Sequence, residues 1–550
     1  MPRVQPISSE ISSDRGPKAR GDGAQPLEAG SPSPWLTGWS WPGLRAWGLL
    51  FLGLFLAIHW QEVTSPTFNV DDWGLVGQPI DQSKQSRPAW DLLYPLLFQN
   101  SFSPFFGWLL AAFSLYAVAA ATAVFLPLIS PAWACLLALL LSLHSYLLDL
   151  FNFSFAIGLY LLPAALSIWG GVLIAYGPPR PLLGRRWLDG GLGVAMQVVA
   201  LGIYQPTGAL AVVLFGWQAL ALALGQGRWG RRAALRLAGG ILAGGLLYYA
   251  WALLARLHEQ ANERTGFADP SQLLAKLFDL EIYRQIYATQ VTLAFPFPQA
   301  ALSLLAGLAL LLLTLLVGTG RLGAAARGRR LALLWGGALL LVIQPLLLYA
   351  ILRADFPPRA FCLANLGIAS LLVITLATVQ PLRWGRSLSR GAVALLVALY
   401  LVPQAAHAAR VWELTHLMER RDMALAQAIL ADVRSEARRT GTVAEPFALF
   451  GTTVRNEPFQ HWATVGESAF RQTWSLEGIF RQLLGVKVQH IPYRQEGNEM
   501  QVRATLPACA AYPDAGSIVR HRGGWLVCLE ANPREASSQR GDAGPLAAQR

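Results

Sequence analysis

Charge is what this 550-residue chain has least of: 14% of its residues are Asp, Glu, Lys or Arg, against 54% hydrophobic ones. Soluble chains carry about 25% charged residues, so an ordinary soluble enzyme is excluded. Cysteine is scarce too, with four in all. Cys135 and Cys362 fall inside apolar runs and read as inert packing residues. Cys509 and Cys528 fall in the polar C-terminal part, where a disulfide between them is open to the chain if that part lies outside the cytoplasm. The sequence has no Cys/His cluster, no glycine-rich phosphate loop, no dinucleotide fingerprint and no HExxH helix. A nucleotide cosubstrate therefore has no support. There is no internal repeat, and no cleavable signal peptide is expected, because the first apolar run begins only at Gly43. The residues before it are rich in Ser, Pro, Gly and charge and read as a disordered tail, 1–40.

What is there is apolar length. A bilayer core needs about 20 apolar residues per helix. Such runs fall at 43–60, 105–127, 130–150, 155–176, 189–204, 207–225, 237–255, 297–319, 332–352, 360–379 and 391–408. The expected fold is an α-helical polytopic membrane protein of about eleven spans over 41–408. A net charge of +12 could suggest nucleic acid. The arginines instead sit in short loops: "GPPRPLLGRRW", "GQGRWGRRAALR", "GRLGAAARGRR" and "QPLRWGRSLSR". These are alternate loops, and the positive-inside rule assigns them, with the N-terminus, to the cytoplasm. The other loops then share the outer face of the cytoplasmic membrane.

Two outer segments have helical patterning: "RPAWDLLYPLLFQN", with Trp90, Leu93, Tyr94, Leu97 and Phe98 on one face, and "SQLLAKLFDLEIYRQIY", started by Ser271 after Asp269-Pro270. After the last span, "VWELTHLMERRDMALAQAILADVRSEA" reads as a soluble amphipathic helix. Short strand-like runs follow at "FALFGT", "VKVQHIPY" and "MQVRATL", then a hairpin around Arg522-Gly523-Gly524. "SLEGIFRQLLG" reads as a short helix stopped by glycine. An α/β domain over 409–531, outside the cytoplasm, and a disordered tail over 532–550 complete the chain.

Candidate chemistry gathers on the outer face. Asp71 and Asp72 follow the first span. A solvated loop explains such a pair, but so does a general base for a sugar hydroxyl, or an oxygen site for a divalent cation. Arg353 and Arg359 flank Asp355 and a Pro-Pro step. Interface snorkelling explains arginines there, whereas a guanidinium held stiffly by proline suits a phosphate. Arg87 and Asp91 stand one helical turn apart and could pair with each other. Tyr204 and Gln205 sit at a proline break, either binding sugar or satisfying backbone freed by Pro206. His144, Asp149, Asn152 and Ser154 read mostly as ordinary outer-loop residues, with Asn152 and Ser154 the better candidates among them.

An early DD loop, an RP–DLL segment, a YQ at a helix end and a PR loop, in that order and on one face, resemble the polytopic glucosyltransferase family typified by phage-encoded O-antigen glucosylating proteins, of the GT-C-type class. The resemblance runs from about Phe68 to Val433. It implies a polyprenyl-phosphate-linked sugar donor, glucose by the family pattern, and a cell-envelope glycan or lipid-linked acceptor. Carried over, DD is Asp71 and Asp72, RP–DLL is Arg87, Pro88 and Asp91, YQ is Tyr204 and Gln205, and PR is Pro358 and Arg359. One of the two acids would be the base, and Arg359 would hold the lipid phosphate. The chain departs from the pattern in "WGLVGQ", which lacks an Arg after the acids, in Ser86 before Arg87, and in a longer C-terminal domain. Two other classes compete. A transporter or flippase of lipid-linked sugars would favour midplane charges and repeated halves, which are not seen. A scaffold for cell-wall partners would leave the outer acids and arginines without a task.

Overall fold

Proline begins many of the helices. It stands in the first turn of the helices starting at Pro88, Pro104, Pro131 and Pro270, where its missing N–H costs nothing. The computed structural model describes residues 41–75, 87–99, 103–176, 185–226, 230–255, 269–289, 297–320, 323–351, 358–382, 384–453, 465–491 and 499–533. In chain order the helices are α1 (Trp41–Ile58), α2 (Trp60–Thr64), α3 (Val70–Leu75), α4 (Pro88–Phe98), α5 (Pro104–Phe125), α6 (Pro131–Ser142), α7 (Ser145–Phe151), α8 (Ile157–Tyr176), α9 (Arg186–Ile203), α10 (Gln205–Gly208), α11 (Val213–Ala223), α12 (Arg231–Ala255), α13 (Pro270–Leu277), α14 (Leu280–Arg284), α15 (Phe297–Gly318), α16 (Ala324–Ile351), α17 (Asn365–Val379), α18 (Gly385–Leu396) and α19 (Val402–Arg439). A 3-10 turn, Pro358–Phe361, precedes α17.

Among the described residues, eight helices are long and apolar enough to cross a membrane. The pair α6–α7 makes a ninth if a bend of 72° counts as one broken span, and Pro42–Ile58 and Trp187–Ile203 are shorter apolar helices. Every apolar run found in the sequence therefore carries a helix, and the chain is a multi-pass helical membrane protein. The run at 130–150 is not straight. It breaks at Leu143–His144, where His144 is extended and its ring accepts the N–H of Tyr146. Small residues let the spans close in: a Cβ on Gly193 would lie 2.6 Å from the Gly170 carbonyl, so α8 and α9 touch backbone to backbone.

The helical segments between the spans refine the expectations. α4 buries Trp90, Tyr94 and Phe98, as its spacing predicts. "SQLLAKLFDLEIYRQIY" is two helices, not one, because Asp279 caps a new start at Leu280. The first of them, α13, is capped by Asp269 rather than Ser271, in a capping box with Gln272.

Beyond α19 lie β1 (Phe447–Phe450), α20 (Thr473–Leu484), β2 (Val488–Ile491), α21 (Glu499–Thr505), β3 (Ile518–His521) and β4 (Gly524–Cys528). The sheet order is β2-β1-β4-β3, with β1 parallel to both neighbours and β3–β4 the expected hairpin. Gly485 ends α20 at φ 64°, a left-handed cap that favours glycine. "MQVRATL" is helix α21 rather than a strand. Its Val502 packs with Leu506 one turn on, against Phe450 and the cystine, and seven residues are too few for periodicity to separate the two structures. Cys509 and Cys528 form a disulfide. Asn532, at the start of the expected tail, is buried and pairs with Cys509 through backbone hydrogen bonds. No coil linker separates membrane part from domain, since α19 runs through from one to the other.

Candidate functional site

The acid pair occupies α3, and its two members do different work. Asn69 caps the helix, its Oδ1 accepting the N–H of both Asp71 and Asp72 at 2.8 Å. Asp72 reaches back and accepts the N–H of Asn69 at 3.0 Å, closing a capping box. The same carboxylate accepts the N–H of Ser154 at 3.3 Å and of Phe155 at 3.2 Å. Asp72 is fully buried, and burial pushes its carboxyl well above the usual range while the amides of Asn69 and Phe155 pull it back. A base needs reach as well as affinity for a proton. Asp72 spends both oxygens on backbone and has no surface for a substrate.

Asp71 is only partly buried and interacts electrostatically with Arg359 and Tyr160. Arg359 projects from the 3-10 turn before α17, its guanidinium 4.6 Å over the ring of Phe153 and 3.8 Å from Asp149 Oδ2. Asp149 lies on α7, so the bend after α6 delivers a buried carboxylate to the arginine. Arg87, the residue before α4, lies over Tyr204 at 5.0 Å and Tyr160 at 5.8 Å. The two tyrosine rings meet edge to face at 4.7 Å. Gln205, next to Tyr204, donates to the Tyr248 hydroxyl on α12 at 2.7 Å. Close approach seats α4: a Cβ on Gly202 would lie 2.9 Å from that of Ala89.

Asp71, Arg87, Tyr204 and Arg359 thus converge, joined by Tyr160, Phe153 and Asp149. Asp91 is half-buried one turn along α4 from Arg87, whose guanidinium stacks on the tyrosines. Gln205 reaches α12 through its amide. Arg353 and Asp355 lie outside the described residues. A cation held by the DD pair does not fit: Asp72's oxygens face amides, and among the described residues no group of three or more His, Cys, Asp or Glu could hold a metal.

Sequence reasoning missed Asp149, although an acid inside an apolar run is itself a signal of function. It also missed the capping box, legible in "NVDD" as an Asn three residues before an acid. Asn152 and Ser154 serve the scaffold: Asn69 donates to the Asn152 carbonyl at 2.7 Å, and the Ser154 hydroxyl donates to the Thr67 carbonyl at 2.9 Å.

No curated protein and no solved structure matches the chain. The family described as glucosyl transferase GtrII matches residues 62–376. The matched stretch starts at Glu62, just ahead of the acid helix, runs past Arg359 into α17, and takes in every residue of the cluster above. With more than half its length so matched, and on a fold of stacked apolar helices, the chain belongs to the glucosyl transferase GtrII family.

Proposed function

We propose that this membrane glucosyltransferase takes glucose from a polyprenyl-phosphate donor and transfers it to a cell-envelope glycan or lipid-linked acceptor at the outer face of the cytoplasmic membrane. The observation that carries the reading is the placement of Asp71 in the electrostatic field of Arg359, with aromatic rings of Tyr160 and Tyr204 beside them. In the proposed reaction Asp71 takes the proton of the acceptor hydroxyl. The freed oxygen pair bonds to C1 of the glucose as the C1–O bond to the lipid phosphate breaks. The phosphate leaves with the bonding electrons, and Arg359 offsets its charge. Asp149 keeps the guanidinium oriented before the phosphate arrives. Arg87 and Tyr204 form a wall for the sugar.

Outward orientation draws support from the arginine-rich alternate loops. The Cys509–Cys528 disulfide also suits an oxidising compartment. A flippase would not need a carboxylate poised beside a phosphate-binding cation. The test is glucose transfer in vitro by purified protein given polyprenyl-phosphate glucose or a sugar nucleotide, with Asp71→Asn alongside. Use of the lipid donor by the native protein alone is expected. Undiminished transfer by the variant, or turnover only of the sugar nucleotide, would sink the reading.

A further inference from the structure

A six-residue helix such as α3 does not hold itself together in water. Its entry strand is tied down residue by residue. Thr67 donates its N–H and hydroxyl to Glu62, at 3.0 and 2.9 Å. Phe68 donates its N–H to Glu419 on α19 at 3.2 Å. The far end of the helix is held by an apolar anchor. Trp73, 2% exposed, packs on Phe68 with ring centres 4.8 Å apart. Its indole belongs not to the membrane core but to the core of the C-terminal domain, with Phe470, Ile479 and Phe480. α3 accordingly packs on α20, while the 3-10 turn just ahead of α20, Ala469–Arg471, is tied to α19 through the buried Asp422, which accepts from the Ser468 hydroxyl and the Ala469 N–H. The family match ends at residue 376, so the α19 and α20 side of this support, with Glu419, Asp422, Phe470, Ile479 and Phe480, lies beyond it.

Residues two apart on a helix point to opposite sides. Asp71 can therefore face Arg359 while Trp73 faces the domain. We propose that Trp73 is a positioning residue for Asp71, and that through it the C-terminal domain is a working part of the transfer site rather than an appended module. The proposal rests on the reading of Asp71 as base. A misplacement of about 1 Å at a reacting group costs about 10²-fold in rate, which a freed α3 easily allows.

The test uses the full chain, purified and reconstituted, with polyprenyl-phosphate glucose as donor. Trp73→Ala is expected to lower kcat about 10²-fold per folded molecule with donor KM nearly unchanged, and Trp73→Phe to restore most of it. A second readout is independent of turnover: Asp71→Cys is labelled with a charged thiol reagent, with and without the change at Trp73, and labelling is expected to speed up when the indole is gone. Trp73→Leu replaces Trp73→Ala in both arms if the smaller residue prevents folding. Unchanged kcat in folded protein, or a lowered kcat with unchanged labelling, overturns the positioning role. Undiminished transfer by Asp71→Asn overturns the base assignment instead, and the labelling arm still reports whether Trp73 holds the helix.

Discussion

Asp71 and Arg359 sit on two short elements that are held by opposite means. α3 is fastened through backbone: a capping box, amides from the turn before α8, and an indole sunk in another core. The 3-10 turn is fastened through charge, by one buried carboxylate and one aromatic face. A backbone clamp fixes the direction of a side chain without touching it. A charge clamp fixes a cation yet leaves it able to exchange partners when a phosphate comes in. A rigid acid and an exchangeable cation are what the proposed reaction asks of Asp71 and Arg359.

The contrast breaks most sharply at Asp71. Removing a general base costs about 10²–10⁴ in rate, so Asp71→Asn is expected to lose transfer on that scale while its thermal unfolding midpoint stays put. At Arg359 both properties move together. Arg359→Ala leaves Asp149 buried beside no guanidinium, and unpairing a buried charge costs about 3–5 kcal/mol; a lower unfolding midpoint and lost turnover are expected, with Asp149→Asn in the same chain recovering the midpoint but not the turnover. Asp72→Asn should look unlike its neighbour. It places an amide donor against backbone donors, for about 1–3 kcal/mol of stability, and denaturation of folded protein is expected to show the loss before transfer does.

The smallest effect concerns pH. Glu62 sits under the loop that leads to α3, and burial raises its carboxyl from the usual 4.5 to about 7, despite hydrogen bonds from Thr67 and with a further push from Glu419. The folded chain then holds this proton more tightly than the unfolded chain between those values. Its contribution to stability is complete below pH 4.5 and is lost as pH rises toward about 7. His416, whose Nε2 is 3.5 Å from Glu62, is held below its ordinary value by burial and by Arg420, so it works against the Glu62 slope at the acid end. Glu62→Gln is expected to flatten the slope of unfolding midpoint against pH over this window; an unchanged slope would assign it to other groups.

Much of the membrane part could be read in advance because one force dominates it. Long apolar runs have no other stable solution than helices in a bilayer, and each run carries one. The candidate cluster was legible where the motif residues were themselves unusual, as with Asp71, Arg87, Tyr204 and Arg359. It was not legible where an ordinary residue acquires its role from a neighbour distant in sequence. Asp149 looked like loop until the bend at His144 turned α7 toward the 3-10 turn. "MQVRATL" alternated like a strand, and Val502 and Leu506 became one helical face only against Phe450 and the cystine. "SQLLAKLFDLEIYRQIY" kept its helical period across Asp279, where a local side-chain cap was worth more than continuation.

By itself, then, the sequence determined the class of protein and the number of apolar runs, since transfer free energy depends on composition and length alone. Only the tertiary structure told the two adjacent acids apart, one fully buried and the other partly exposed. Asp71 and Asp72 are the same chemistry one residue apart. A helix turns about 100° between them, which directs one carboxylate into backbone amides and leaves the other in the field of Arg359.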